Sequence, residues 1–592
     1  MSDTKPPRRR SEIWFNDEAE PGETAVYLER FGNYGITRGE LQSKKPVIGI
    51  AQTGNDLTPC NRHHLELAKR IKDGIRDAGG LPFEFPVHPL QESCRRPTAA
   101  LDRNLAYLGL VEVMCGYPLD GVVLTTGCDK TTPACLMAAA TVNIPAIVFS
   151  GGPMNDAYYN GKLAGSGMAL WEARRMLAAG EIDNDGLLDM VLASVPSAGH
   201  CNTMGTALSM NSVAEALGMS LPGCAAIPAP HANRAKMAYR TGFRIVGMVN
   251  EDLTPERILT REAFENAIVV TAAIGGSTNC VPHLIAIARH MGVPLEIRDW
   301  DEVGHRIPLL ANIQPAGKYL GEAYHRAGGV PAIIGELMQA GLIREGALTV
   351  NGNTMGENHR NSRSADRDVI RPVSDPLMKD AGFIIVSGNL FSSAVVKTSV
   401  IGENFRAKYL CRPEQEDCFT SRVVVFDGPE DYRRRVNDTL LNVDEDCMLV
   451  IRGSGPVAYP GSAEVVNMTP PDYVVKGGCR MLPCMGDGRQ SGTSDSPSIL
   501  NVSPESAIGG NLAILRDGDM VRVDFKNRRV DLLLSDEEIA SRRAEMKLPE
   551  LENQSPWQEF YRRQVGQLET GACFDFAVKY RDLRRHVPRH SH

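Results

Sequence analysis

Apolar residues in the first two-thirds of the chain alternate between two spacings. Short unbroken runs read as strands: Val47-Ile-Gly-Ile-Ala, Phe83 to Val87, Gly121-Val-Val-Leu-Thr and Met190-Val-Leu-Ala. Between them, apolar positions recur at helical spacing. Leu65, Ala68, Ile71 and Ile75 form one such stripe, closed by Gly79-Gly80; Ala207, Met210, Val213, Ala214 and Leu217 form another. Thr58-Pro59 fits an N-cap residue followed by Pro at the first helical position, and Thr132-Pro133 opens an Ala-rich helix. This alternation predicts an α/β domain built on a doubly wound, mainly parallel sheet. Ligands of such sheets bind beyond the carboxyl ends of the strands.

From about Ala381 the pattern changes. Phe383-Ile-Ile-Val, Val423-Val-Val-Phe, Met448-Leu-Val-Ile and Met520-Val-Arg-Val-Asp-Phe are short apolar runs separated by Gly-rich turns. Lys526-Asn-Arg-Arg reads as a hairpin turn. A mainly β, barrel-like C-terminal domain is expected, beginning between about 372 and 383, after the polar segment Glu357 to Asp368. The expected division is an N-terminal arm over 1–45, an α/β domain over 46–378 and the β domain over 379–592.

Composition narrows the class. With 43% hydrophobic and 23% charged residues and a net charge of -8, the chain is an ordinary globular protein with no sign of a nucleic-acid partner. The basic run Lys5 to Arg10 reads as a solvated tail. No apolar leader follows Met1, and the most apolar stretch, Ala134 to Ser150, is interrupted by Thr141, Asn143 and Pro145. A cytoplasmic protein without a membrane partner is therefore expected. In that compartment its 14 cysteines are thiols, not disulfides, and the question becomes which of them are ligands.

Three cysteines share one topological position, a loop after a predicted strand and before a helix. They are Cys60 in Thr-Pro-Cys-Asn, Cys128 in Thr-Gly-Cys-Asp-Lys and Cys201 in Gly-His-Cys-Asn-Thr. Helix N-termini favour negative charge and so favour a thiolate. Separations of 68 and 73 residues match neither a zinc ribbon nor a ferredoxin, so position alone leaves them divided between buried thiols and ligands. Glu92, Asp129 and Glu464 sit in loops from which carboxylates could form a Mg²⁺ site, or simply face solvent. Gly275-Gly-Ser-Thr-Asn and Gly486-Asp-Gly-Arg-Gln-Ser-Gly-Thr-Ser are loops of the kind that present N–H groups to anions. No Walker A loop is present, and the dinucleotide glycine fingerprint is missing after the first strand, which disfavours a nicotinamide dehydrogenase.

Six ordered strings carry a resemblance: Thr58-Pro-Cys-Asn, Gly127-Cys-Asp-Lys-Thr-Thr-Pro, Cys201-Asn-Thr-Met-Gly-Thr-Ala, Gly275-Gly-Ser-Thr-Asn, Pro460-Gly-Ser-Ala-Glu-Val and Gly488-Arg-Gln-Ser-Gly-Thr. From about Pro46 to Tyr580 the chain resembles the dihydroxy-acid and sugar-acid dehydratases. His200-Cys-Asn-Thr and Gln490-Ser-Gly-Thr depart from the amino-acid-biosynthetic branch and look like the pentonate and hexonate branch, D-xylonate dehydratases first.

The resemblance implies a hydro-lyase that converts an aldonate to its 2-keto-3-deoxy acid. D-xylonate is the first choice, ahead of L-arabinonate, D-galactonate, D-gluconate or a branched-chain dihydroxy acid. It implies a 2Fe–2S cluster on Cys60, Cys128 and Cys201, acting as Lewis acid on the C3 hydroxyl through an iron left open by the missing fourth cysteine. It further implies Mg²⁺ on Glu92, Asp129 and Glu464 with Lys130, which can be carbamylated, and Ser491 as the base with Thr493 beside it. Ser277, Thr278, Asn279 and the terminal His592 are implied substrate contacts, the active site lies between the domains, and the assembly is a homotetramer. Two rivals are an electron-transfer protein with Cys94 or Cys135 as fourth ligand, and a 4Fe–4S dehydratase of phosphorylated sugar acids.

Overall fold

The computed structural model describes residues 9–412 and 415–589. Strands β1 (Val47–Gln52), β2 (Leu81–Pro86), β3 (Gly121–Thr126) and β4 (Ala146–Ser150) form a parallel sheet in the order β2-β1-β3-β4. Every residue of β1, β3 and β4 is buried. Both faces are therefore covered, which explains why these strands read as unbroken apolar runs. Helices α1 (His64–Asp77), α2 (Ala99–Gly116) and α3 (Thr131–Val142) follow β1, β2 and β3 in turn.

Two local expectations fail. Met190-Val-Leu-Ala is not a strand: it lies in a helix, Asn184–Ala193. Asp183 caps that helix by accepting from the Gly186 N–H, and Leu188, Val191, Leu192 and Val195 sit at helical spacing. Cys201 reaches the sheet by another route: His200 bridges to Pro153, just beyond β4. Thr58 is not a helix cap either. It precedes a 3-10 turn over Pro59–Asn61, its hydroxyl has no hydrogen bond, and α1 starts only at His64. The expected solvated tail is outside the described residues up to residue 8, but Arg10 is tied down by the carbonyls of Met114 and Cys115.

The second sheet has eight strands: β5 (Phe383–Val386), β6 (Ser393–Lys397), β7 (Cys418–Asp427), β8 (Cys447–Arg452), β9 (Cys484–Gly486), β10 (Ser498–Ser503), β11 (Met520–Asp524) and β12 (Arg529–Leu532). Their order is β12-β11-β7-β8-β9-β10-β6-β5, and a bridge between Ser387 and Arg529 brings the two edges together, nearly closing a barrel. Strands β7 to β10 run parallel and the rest pair antiparallel. Along β7, Val423 and Val425 enter one core while Val424 and Phe426 enter another, the period-2 division of a strand buried on both faces. The expected hairpin turn joins β11 to β12. Beyond the barrel the chain returns to the first domain, where Tyr561, Cys573, Phe574 and Ala577 join its core.

Candidate active site

The three cysteines meet at the carboxyl end of the first sheet. Cys60 lies in the 3-10 turn after β1, and Cys128 in the turn between β3 and α3. The two loops are tied: the Cys128 N–H donates to Asn61 Oδ1 at 2.8 Å, and Asn61 Nδ2 donates to Thr53 Oγ1 at 3.1 Å. Cys201 precedes helix α4 (Thr206–Ala216) and is carried in by the His200–Pro153 bridge. Gln91 Nε2 donates to Cys60 Sγ at 3.2 Å. A hydrogen bond from the Cys128 thiol lowers the pKa of Cys60, while burial pushes Cys201 up to about 12. Three neighbouring thiols cannot all ionise here without a compensating cation.

Across the same cavity, of about 920 Å³, stand the acids. Glu92, Asp129 and Glu464 each offer an oxygen, all within 4.8 Å of one another. Burial raises Glu464 to about 7. Burial also opposes ionisation of Glu92, but Lys130 and Arg489 outweigh it and hold that carboxyl at about 2. Lys130 is fully buried at the start of α3, with Nζ 3.1 Å from Glu92, 3.6 Å from Asp129 and 3.9 Å from Glu464. None of those approaches has hydrogen-bond alignment: Lys130 Nζ and Glu92 Oε2 are buried polar atoms without hydrogen-bond partners among the described residues. Thiols on one wall and carboxylates with an unsatisfied oxygen on the other are the donor chemistry of a soft and a hard metal site.

Ser491 and Thr493 complete the cavity wall from the second domain. Their hydroxyls lie 2.9 Å apart, and the Thr493 N–H donates to Ser491 Oγ at 3.3 Å. Gly492 is required between them: a Cβ there would lie 2.5 Å from the Thr206 nitrogen and 2.6 Å from Ser277 Oγ. The cavity is therefore lined from both domains.

Other expected contacts lie elsewhere. Ser277, Thr278 and Asn279 are buried and do not line the cavity. Asn279 Nδ2 donates to Glu464 Oε1 at 2.7 Å, and Ser277 Oγ pairs with Thr206 Oγ1 at 2.9 Å. His592 falls outside the described residues. Arg489 had no expected role. Buried and joined to Asn279, Glu464, Glu92 and Thr98, it links the two domains beneath the acids. Its place in Gly488-Arg-Gln-Ser was the available signal, but a partner 397 residues away is not readable from spacing.

Known proteins extend the picture. The family model described as dihydroxy-acid/6-phosphogluconate dehydratase N-terminal matches residues 45–358, and its C-terminal counterpart matches 368–572. A D-xylonate dehydratase of Caulobacter vibrioides is 58% identical over 592 residues, 100% of this chain and 99% of that protein. An L-arabinonate dehydratase of Rhizobium leguminosarum bv. trifolii is 42% identical, covering 96% of both chains. A dihydroxy-acid dehydratase of Caldanaerobacter subterraneus is 37% identical over 91% of this chain and 95% of that one. With cysteine and carboxylate walls facing one cavity and both halves matched, the chain belongs to the dihydroxy-acid/6-phosphogluconate dehydratase family.

Proposed function

We propose that the chain is a hydro-lyase of sugar acids, with D-xylonate as first substrate and L-arabinonate as the nearest alternative. The observation that carries this reading is the 58% identity to a D-xylonate dehydratase along the whole of both chains. The proposed holders are Cys60, Cys128 and Cys201 for a 2Fe–2S cluster, and Glu92, Asp129, Glu464 and carbamylated Lys130 for Mg²⁺. When bound, these groups supply Lewis acidity toward the leaving C3 hydroxyl and toward the substrate carboxylate and C2 oxygen.

The chain's own residues do the rest. Ser491 Oγ, as the alkoxide, takes the C2 proton and the C–H electron pair becomes the C2=C3 bond. The C3 oxygen departs with its bonding pair and takes that proton back from Ser491, leaving as water and regenerating the alkoxide. The resulting enol tautomerises to the 2-keto-3-deoxy acid. Arg489 and Asn279 hold Glu464 at 2.8 and 2.7 Å, keeping the acid wall in place as charge develops. The proposal carries a cytoplasmic homotetramer with domains over 46–378 and 379–592 after an arm over 1–45; no helix among the described residues is long and apolar enough to cross a membrane.

The test is a panel of aldonates and branched-chain dihydroxy acids, given to anaerobically handled enzyme with Mg²⁺ and scored for 2-keto-3-deoxy product. Pentonates are expected to turn over fastest. Turnover confined to the branched-chain acids overturns the sugar-acid assignment.

A further inference from the structure

Trp171 stands in the first turn of the helix Met168–Ala179 and lines the cavity beside Thr493. Its indole Nε1–H donates to Thr493 Oγ1 at 3.0 Å. Thr493 Oγ1 in turn lies 2.9 Å from Ser491 Oγ. Thr493 is seated closely in this position. A Cβ on Gly167 (φ +82°) would lie 2.5 Å from its Oγ1, and one on Gly205 would lie 2.9 Å from its methyl carbon. Over the ring, the Arg174 guanidinium carbon lies 5.0 Å from the indole centroid in a cation–π contact.

The donor order follows from hydrogen-bond chemistry. An indole N–H can only donate, so Thr493 Oγ1 must spend a lone pair on it. The Thr493 hydroxyl proton is then free for the next atom along, Ser491 Oγ, which already accepts from the Thr493 backbone N–H at 3.3 Å. Once Ser491 has lost its proton, only this arrangement satisfies all three groups. A hydroxyl that is itself accepting a hydrogen bond is a better donor, because bonds in a chain polarise one another. A Phe in place of Trp171 would keep the aromatic wall but lose this directionality.

We propose that Trp171 is a positioning residue, whose indole N–H fixes the Thr493 hydroxyl as a donor to Ser491 Oγ. The inference rests on the reading of Ser491 as the base.

The experiment uses Trp171→Phe in the holoenzyme with D-xylonate. Loss of one such hydrogen bond is expected to lower kcat about three- to tenfold with KM within about twofold. The C2-deuterium isotope effect on kcat should rise, because proton removal becomes more rate-limiting. Calorimetric binding of 3-deoxy-D-xylonate, which lacks the leaving hydroxyl, should be unchanged. In a Thr493→Val background, Trp171→Phe should add nothing. Benzothienylalanine at 171, which keeps the bicyclic shape and lacks the N–H, should reproduce the Phe result and answers the case of a misfolded Phe variant.

An unchanged kcat and isotope effect, a loss carried only by KM and analogue binding, or an equal loss in the Thr493→Val background each overturns the proposal. Ser491→Ala separates the two layers. If that variant still turns over, the base assignment falls and takes this inference with it. If it is inactive while Trp171→Phe behaves as wild type, only the role of Trp171 falls.

Discussion

Two sets of acids, one buried within the second domain and one largely buried where that domain meets the first, are satisfied in opposite ways. Asp487 accepts from the N–H groups of Gly453, Ser454 and Ser506 and from the Ser506 hydroxyl. Glu505 accepts from the N–H groups of Val457 and Ala458 and from Gln567. Every carboxylate oxygen of this pair has a donor, and neither acid forms an ion pair among the described residues. Two residues beyond Asp487, Arg489 reaches the other set, Glu92, Asp129 and Glu464, where two cations stand among three acids and Glu92 Oε2 has no hydrogen bond. The first set is closed by backbone and stitches loops together. The second is left open toward a cavity, at a cost in stability that a bound cation would offset.

The sharpest way to break the contrast is substitution at the open set and its neighbour. Glu464→Gln and Ser491→Ala should each lower kcat by about 10²- to 10⁴-fold while leaving folding cooperative, measured by steady-state kinetics and thermal melting. Near-wild-type turnover in either variant would remove that residue from the reaction.

Arg489→Met tests the open set from its cationic side. Removing the guanidinium leaves Glu92 and Glu464 buried with less compensation. The expected loss is about 3–5 kcal/mol by denaturant melts, smaller in Mg²⁺ than in chelator. The closed set should respond to pH as well. Burial raises Glu505 to about 7 from its ordinary 4.5. A raised carboxyl contributes stability that is full below about 4.5 and is lost as pH rises through about 7. Stability should therefore fall between about pH 4.5 and 7, and Glu505→Gln should flatten that fall by up to about 3 kcal/mol. An unchanged slope would mean that Glu505 does not titrate in this window.

Much of the frame was legible in the chain. Apolar runs marked β1, β3 and the barrel strands β5, β7 and β8, which are largely buried, an alternating run marked β11, and the loop positions of Cys60 and Cys128 followed from strand ends. The run Met190 to Ala193 misled as an expected strand because it belongs to a helix whose stripe only the longer window reveals. Cys201 still arrives at the sheet, through a bridge with no sequence signature. Ser277 to Asn279 look like an anion loop, yet the Ser277 side chain pairs with Thr206 and that of Asn279 with Glu464. Arg489 and Trp171 were invisible because their partners lie 397 and 322 residues away, and only folding brings them together.

The most direct test of the open acid set is thermal melting with chelator against saturating Mg²⁺. A ligand bound only by the folded state at about 100 times its Kd adds about 2.7 kcal/mol. The wild type and Glu505→Gln should therefore melt about two to four degrees higher in Mg²⁺, and Glu464→Gln should lose most of that rise. An equal Mg²⁺ rise in Glu464→Gln, or no rise in the wild type, would contradict a cation site at Glu92, Asp129 and Glu464.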